Sequence, residues 1–141
     1  MTRQVFIAFL LLLLAAPAAA VTWPLYVRVW NVCPASYPSY LVNDNYYLRV
    51  TRDSVDMSLP YMGRVYQPVY GNGPSLTFKA PITEFEEKAG KKQRVILRFN
   101  TRNGGVNYRL RMELEPSGKV DIRLMPSNAQ SIRYDGDITE P

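Results

Sequence analysis

Val106-Asn107-Tyr108-Arg109-Leu110-Arg111-Met112-Glu113-Leu114 is the stretch that decides the fold of this chain. Val106, Tyr108, Leu110, Met112 and Leu114 alternate with Asn107, Arg109, Arg111 and Glu113, and Glu115 extends the polar series. Successive side chains of an extended strand point to opposite faces, so this alternation describes a strand with one buried face and one wet face. The phrase is bounded by Arg102-Asn103-Gly104-Gly105 and Pro116-Ser117-Gly118, which offer the Gly or Asn that a hairpin needs at positive φ.

The same period of two spreads outward in both directions. Val95, Leu97 and Phe99 precede the phrase and Val120, Ile122 and Leu124 follow it, with Leu76, Phe78 and Ala80 before them and the short pair Ile132 and Tyr134 at the end. Lys88-Ala89-Gly90-Lys91-Lys92 is a further hairpin link, so the chain from Leu76 to Leu124 is expected to be an antiparallel meander. Upstream, Leu25, Val27 and Val29 form a strand ending before Cys33-Pro34; Tyr46, Leu48 and Val50 and then Val55, Met57 and Leu59 form two more, joined at Thr51-Arg52-Asp53. No stretch keeps a helical period for long. The expected class is all-β, a single antiparallel β-sandwich or partly open barrel of about eight short strands. Pattern alone leaves both architectures open.

The inventory of 141 residues excludes much chemistry: 17 Lys+Arg stand against 12 Asp+Glu, with no His and one Cys. Without histidine there is no Ser-His-Asp triad, no Cys-His pair and none of the usual zinc ligand sets. One cysteine makes no intramolecular disulfide and no CxxC motif. No cofactor or metal is expected, and Cys33 is expected to be buried as a small apolar residue.

Residues 1–20 have the form of a secretory signal peptide: Arg3, an apolar run from Val5 to Ala16, then Ala18-Ala19-Ala20. The run is shorter than the ~20 residues of a membrane-crossing helix. The expected mature chain is one all-β domain over residues 21–141, exported to the periplasm or beyond the cell, monomeric and without a membrane span. Export argues against nucleic acid as a partner; the modest excess of positive charge suits anionic surface polymers or lipid headgroups, but a solvated, solubilising surface is the simpler expectation.

One segment departs from the strand pattern. Leu59-Pro60-Tyr61-Met62-Gly63-Arg64-Val65-Tyr66-Gln67-Pro68-Val69-Tyr70-Gly71-Asn72-Gly73-Pro74 is dense in Tyr, Gly and Pro. Its prolines remove backbone donors and its glycines permit close approaches, as in an edge strand with a covering loop or a binding loop on a rigid scaffold. Leu59 to Tyr66, Tyr70-Gly71 and Ile132-Arg133-Tyr134-Asp135-Gly136 together resemble the bacterial domain-of-unknown-function family 4251. The upstream Tyr46 to Val50 and Asp53-Ser54-Val55 fit the same family, and the resemblance covers roughly Trp30 to Ile138. It implies an exported single-domain envelope protein and carries over no catalytic or cofactor residue.

Tyr61, Gly63, Arg64, Tyr66 and Tyr70 are the candidate ligand-binding residues, because phenol rings and a planar guanidinium suit sugars, peptides or anionic groups. The competing expectation is that the rings pack on the sheet and Arg64 pairs with a carboxylate or carbonyl to fix the loop. Glu84, Glu86 and Glu87 form the best carboxylate cluster, with a wet strand face as the simpler explanation. Asp135-Gly136-Asp137 resembles a calcium-loop fragment without its further ligands and is expected to be a terminal turn. Lys88, Lys91, Lys92 and Arg94 are expected at a solvated hairpin tip. The expected function is a non-enzymatic envelope binding or interaction module for a small ligand, glycan or envelope protein. A purely structural envelope protein is the alternative, followed by a small hydrolase using carboxylates.

Overall fold

The computed structural model describes residues 21, 23–43, 45–66 and 76–139. Nine strands make one sheet: β1 (Leu25–Pro34), β2 (Tyr40–Leu41), β3 (Tyr47–Val50), β4 (Ser54–Ser58), β5 (Thr77–Ala89), β6 (Val95–Asn103), β7 (Val106–Leu114), β8 (Lys119–Pro126) and β9 (Ile132–Ile138). Apart from β2, each strand pairs antiparallel with its neighbour in sequence, and β9 returns to pair with β1. The result is an eight-stranded closed barrel with β2 as an extra strand on β1. Closure settles what the alternation left open between a sandwich and a partly open barrel.

Alternation places the core as the pattern requires. Val106, Tyr108, Leu110, Met112 and Leu114 face inward, where they meet Val27, Leu48, Met57, Leu97, Phe99, Ile122, Leu124 and Tyr134 in one apolar cluster. Burial of such side chains stabilises the fold by roughly 1.5–3 kcal/mol each relative to exposure. Charged residues point outward from the same strands, the reverse of the polarity of a barrel that faces lipid. Among the described residues no helix is long and apolar enough to cross a membrane.

The hairpin turns follow their chemistry with one exception. Gly104 and Gly105 take φ of 59° and 82°, and Gly118 takes 94°. At the β5–β6 link the left-handed residues are Lys92 and Gln93, whereas Gly90 sits at a φ of −104°. There Gly90 is close to Ile96: an added Cβ would lie 3.1 Å from its Cδ1.

Three strand limits differ from the sequence expectation. β1 continues through Cys33 and Pro34, with Pro34 opposite Ile132 at the end of the ladder, where a missing N–H is tolerated. β5 runs on to Ala89 across a bulge between Thr83 and Glu86, with Glu84 at a φ of 53°. Asp135-Gly136-Asp137 is not a terminal turn but part of β9, paired on both sides. Gly136 is required by closure. A Cβ there would stand 2.6 Å from the Arg28 carbonyl oxygen and 2.8 Å from Val27 Cγ1, so only glycine lets β9 approach β1 beside the register shift between Val29 and Asn31.

Candidate functional site

The antiparallel order sends four links to one end of the barrel: β1 to β3, β4 to β5, β6 to β7 and β8 to β9. The segment Leu59–Tyr66 leaves β4 at this end and is tied down by the β8–β9 link. The Tyr61 hydroxyl donates to the Gln130 carbonyl at 2.8 Å, and the buried Tyr134 hydroxyl donates to the Pro60 carbonyl at 2.6 Å. Arg64 N–H donates to Gln130 Oε1 at 3.0 Å, and Gln130 N–H donates back to the Arg64 carbonyl at 2.8 Å. Tyr66 N–H donates to the Asn128 carbonyl, and Val65 bridges Ala129. Gln130 also donates from Nε2 to Ser36 Oγ, which joins the β1–β3 link to the cap.

The candidate residues of this segment divide. Tyr61 is half-buried against the core, and burial pushes its phenol up. Gly63 lies under it: a Cβ would come 2.6 Å from the Tyr61 hydroxyl oxygen. Arg64 and Tyr66 are exposed, and the Arg64 guanidinium makes no ion pair with a described residue. Arg64 fixes the segment with its main chain, not with the side-chain pairing that the structural expectation assigned to it. Tyr70 lies outside the described residues.

Sequence reasoning missed a second region, which the register builds on the outside of β5–β9. Arg98 stands opposite Arg111, Arg111 opposite Arg123, and Arg123 opposite Arg133. Four arginines thus cross four strands in one row. Toward the barrel end, the next rows set Thr83 by Asn100, Arg109 and Met125, and Arg102 by Asn107. These outward side chains, with Pro81 and Ser127, line an open depression of about 750 Å³. Ser127 is held by Asn107, whose N–H donates to its Oγ at 3.1 Å and whose carbonyl accepts its N–H. Because Asn128 follows Ser127 and anchors Tyr66, depression and cap share one link.

Charge is unevenly neutralised across this face. The rows on the far side of the arginines carry Glu113, Asp121 and Asp135, which engage Arg94, Arg111 and Arg133 at 2.9–3.7 Å. Arg98, Arg102, Arg109 and Arg123 make no ion pair with a described residue. Directly opposed like charges destabilise a sheet, so this row is a cost that the fold carries.

The remaining candidates are placed separately. Cys33 is half-exposed instead of buried, at a corner where Arg133 Nη2 lies 3.1 Å from its Sγ and Asp135 lies beyond. Burial pushes the thiol up, against the Arg133 guanidinium, which draws it down. Glu84 is turned by the β5 bulge to accept from Asn100 Nδ2 at 2.7 Å, at the margin of the depression. The bulge breaks the alternation on which a shared face for Glu84 and Glu86 rested. Lys88, Lys91 and Lys92 are exposed around the β5–β6 link, while Arg94 pairs with Glu113 and Glu115. Among the described residues no group of three or more acidic or cysteine side chains is arranged to hold a metal ion.

The family model described as Domain of unknown function (DUF4251) matches residues 26–138. A crystal structure of a DUF4251 family protein from Bacteroides eggerthii DSM 20697 is similar to this one at a TM-score of 0.63. That likeness covers 86% of this chain and 83% of that one, at 13% identity. At such identity it concerns the fold. No curated protein matches the chain.

Proposed function

This chain belongs to the DUF4251 family, a domain of unknown function, and with that as premise we propose that it is a non-enzymatic binding module exported to the bacterial envelope. Export rests on the signal pattern of residues 1–20. The observation that carries the binding reading is the depression on β5–β8. Four strands of a closed, rigid barrel hold Thr83, Asn100, Arg102, Asn107, Arg109 and Ser127 around one open concavity, and its two guanidiniums have no carboxylate partner among the described residues. Binding sites combine a shaped surface with a few convergent polar groups on rigid elements. Arg64 and Tyr66 are exposed on the cap, which shares the β8–β9 link with the depression, while Tyr61 and Gly63 hold the cap in place.

The test is the melting temperature of the protein against a panel of glycans, peptidoglycan fragments and peptides, since a ligand that prefers the native state raises it by mass action. We expect an upward shift that Arg102→Gln with Arg109→Gln removes and Arg64→Ala reduces, with the melting temperature of the free variants kept. No shift from any compound would reject the reading. The purely structural alternative has its own support in the hydrogen bonds that Tyr61, Gln130 and Tyr134 make inside the protein. It predicts instead that no compound moves the melting temperature, that Arg64→Ala leaves it unchanged, and that Tyr61→Phe and Tyr134→Phe lower it.

A further inference from the structure

We infer that the ligand of this surface is an acidic glycan, a sugar polymer bearing carboxylate, sulfate or phosphate groups, held by Arg98, Arg102, Arg109 and Arg123. The inference rests on the binding reading above and adds the ligand class. Neighbouring strands lie about 4.8 Å apart, so the row from Arg98 to Arg133 spans roughly 14 Å, the reach of an extended ligand with several contacts. In this row Arg98 and Arg123, which have no ion pair among the described residues, alternate with the paired Arg111 and Arg133, and Glu86 faces Arg98 at the β5 end. Arg102 and Arg109 lie in the adjacent rows, so a polyanion crossing the face obliquely reaches all four open guanidiniums, whose planar fork binds oxyanions in two-point fashion. The strain of stacking like charges is then relieved by the ligand, which is a physical reason for a sheet to carry them.

The neighbours of the arginines select among polyanions. Thr83, Asn107 and Ser127, with Asn100 held by Glu84 at the margin, place hydroxyl and amide groups beside the cations, and these match the hydroxyl groups of a sugar. The outward positions of β6–β8, from Ile96 to Arg102, Asn107 to Glu113 and Lys119 to Met125, hold no aromatic side chain, so this face has no aromatic platform for stacking bases. The surface is also concave, and beside Pro81 and Met125 its outward side chains are amide, hydroxyl and guanidinium groups, unlike the protruding apolar face with which a protein enters a bilayer.

The experiment uses protein purified after expression of the full-length chain. It is titrated by calorimetry with polygalacturonate, dextran sulfate, dextran phosphate and uncharged dextran, and in parallel with single-stranded DNA and with phosphatidylglycerol vesicles. We expect binding of the acidic glycans, none of uncharged dextran, and at least tenfold weaker binding of DNA and vesicles at equal salt. Affinity should fall as salt rises and drop more than tenfold in the variant combining Arg98→Gln, Arg102→Gln, Arg109→Gln and Arg123→Gln. Circular dichroism should show that variant folded, because it removes no ion pair among the described residues. The order among polygalacturonate, dextran sulfate and dextran phosphate names the anionic group.

Acidic-glycan binding unchanged in the fourfold variant would overturn the inference, as would DNA or vesicles binding as tightly as the glycans. A neutral glycan or peptide that shifts the melting temperature through Arg102 and Arg109 while acidic glycans fail would sink the ligand class and leave the binding module standing. Failure of every compound would reject both.

Discussion

The cap Leu59–Tyr66 and the outer face of β6–β9 are built on the same barrel and spend their polar groups in opposite ways. In the cap, main-chain donors and carbonyls and the two hydroxyls of Tyr61 and Tyr134 close on partners within the protein. On the outer face, four guanidiniums point to solvent with no ion pair among the described residues, and two of them, Arg98 and Arg123, stand opposite other arginines. The cap is unusual as a sequence phrase, and its contacts are largely internal. The arginines attract no notice along the chain and form a surface only after folding. A distinctive phrase therefore marks a demanding local geometry, whereas a recognition surface is assembled by register. Substitutions should separate the two regions: those at the cap and seam cost stability, and those on the face spare it.

The largest effect is expected at the seam that brings both regions together. Gly136→Ala puts a methyl group against the Arg28 carbonyl, which is backbone and cannot rotate away. We expect a loss of about 3 kcal/mol, at the upper end of overpacking costs, read as a lower urea midpoint. A loss below about 0.5 kcal/mol would mean that β1 and β9 do not close the barrel as described.

Next is Tyr134→Phe, which leaves the Pro60 carbonyl without its buried donor and should cost about 1–2 kcal/mol. Its pH dependence is equally specific. Burial pushes the Tyr134 phenol far above the ordinary value of about 10, so the folded chain keeps a proton that the unfolded chain releases near that pH. Stability is therefore fully present below about pH 10 and falls as pH rises above it. Tyr61, raised for the same reason, adds to that fall. The Phe variant should show a shallower alkaline decline in urea midpoints between pH 9 and 11, measured in steps (a range set by the phenol value). An identical decline in both proteins would remove Tyr134 from the account.

Tyr61→Phe should cost about 1 kcal/mol by deleting one hydrogen bond to the cap while keeping the ring in place. Gly63→Ala should act on the same bond by displacing the hydroxyl, so the two losses should not add. Full additivity in a double-mutant cycle would show that Gly63 serves some other purpose.

Much of this architecture was legible before folding. The alternation in β7 fixed which side chains enter the core, and folding the sequence about Gly104-Gly105 sets Arg98 opposite Arg111. That hairpin symmetry was the available signal for the arginine row, and reading one strand at a time hides it. Closure was not legible. It depends on contacts such as Asn31 Nδ2 to Asp135, between residues 104 positions apart, and on a glycine whose need arises only when the distant β1 backbone arrives. The same distance concealed Cys33, whose partners Arg133 and Asp135 lie on β9. The role of Arg64 was misread for a different reason: sequence displays the guanidinium, but its main chain makes the contacts that fix the segment.

The smallest expected effect is the one that tests the outer face without a ligand. Arg123 stands between Arg111 and Arg133 and has no ion pair among the described residues, so Arg123→Gln removes two opposed like-charge contacts and keeps the side chain's length roughly unchanged. Stability should rise by about 0.2–0.5 kcal/mol at low salt, the scale of exposed charge pairs on a sheet. Salt near 1 M reduces the screening length to about 3 Å, less than the strand spacing, so the gain should vanish there. A control at Arg133→Gln should go the other way, because Arg133 bridges Asp121 and Asp135 and its loss removes both ion pairs, leaving Asp135 only its neutral donors. If Arg123→Gln destabilises at every salt concentration, its guanidinium supports the fold, and the opposition between a closed cap and an open face no longer holds at that position.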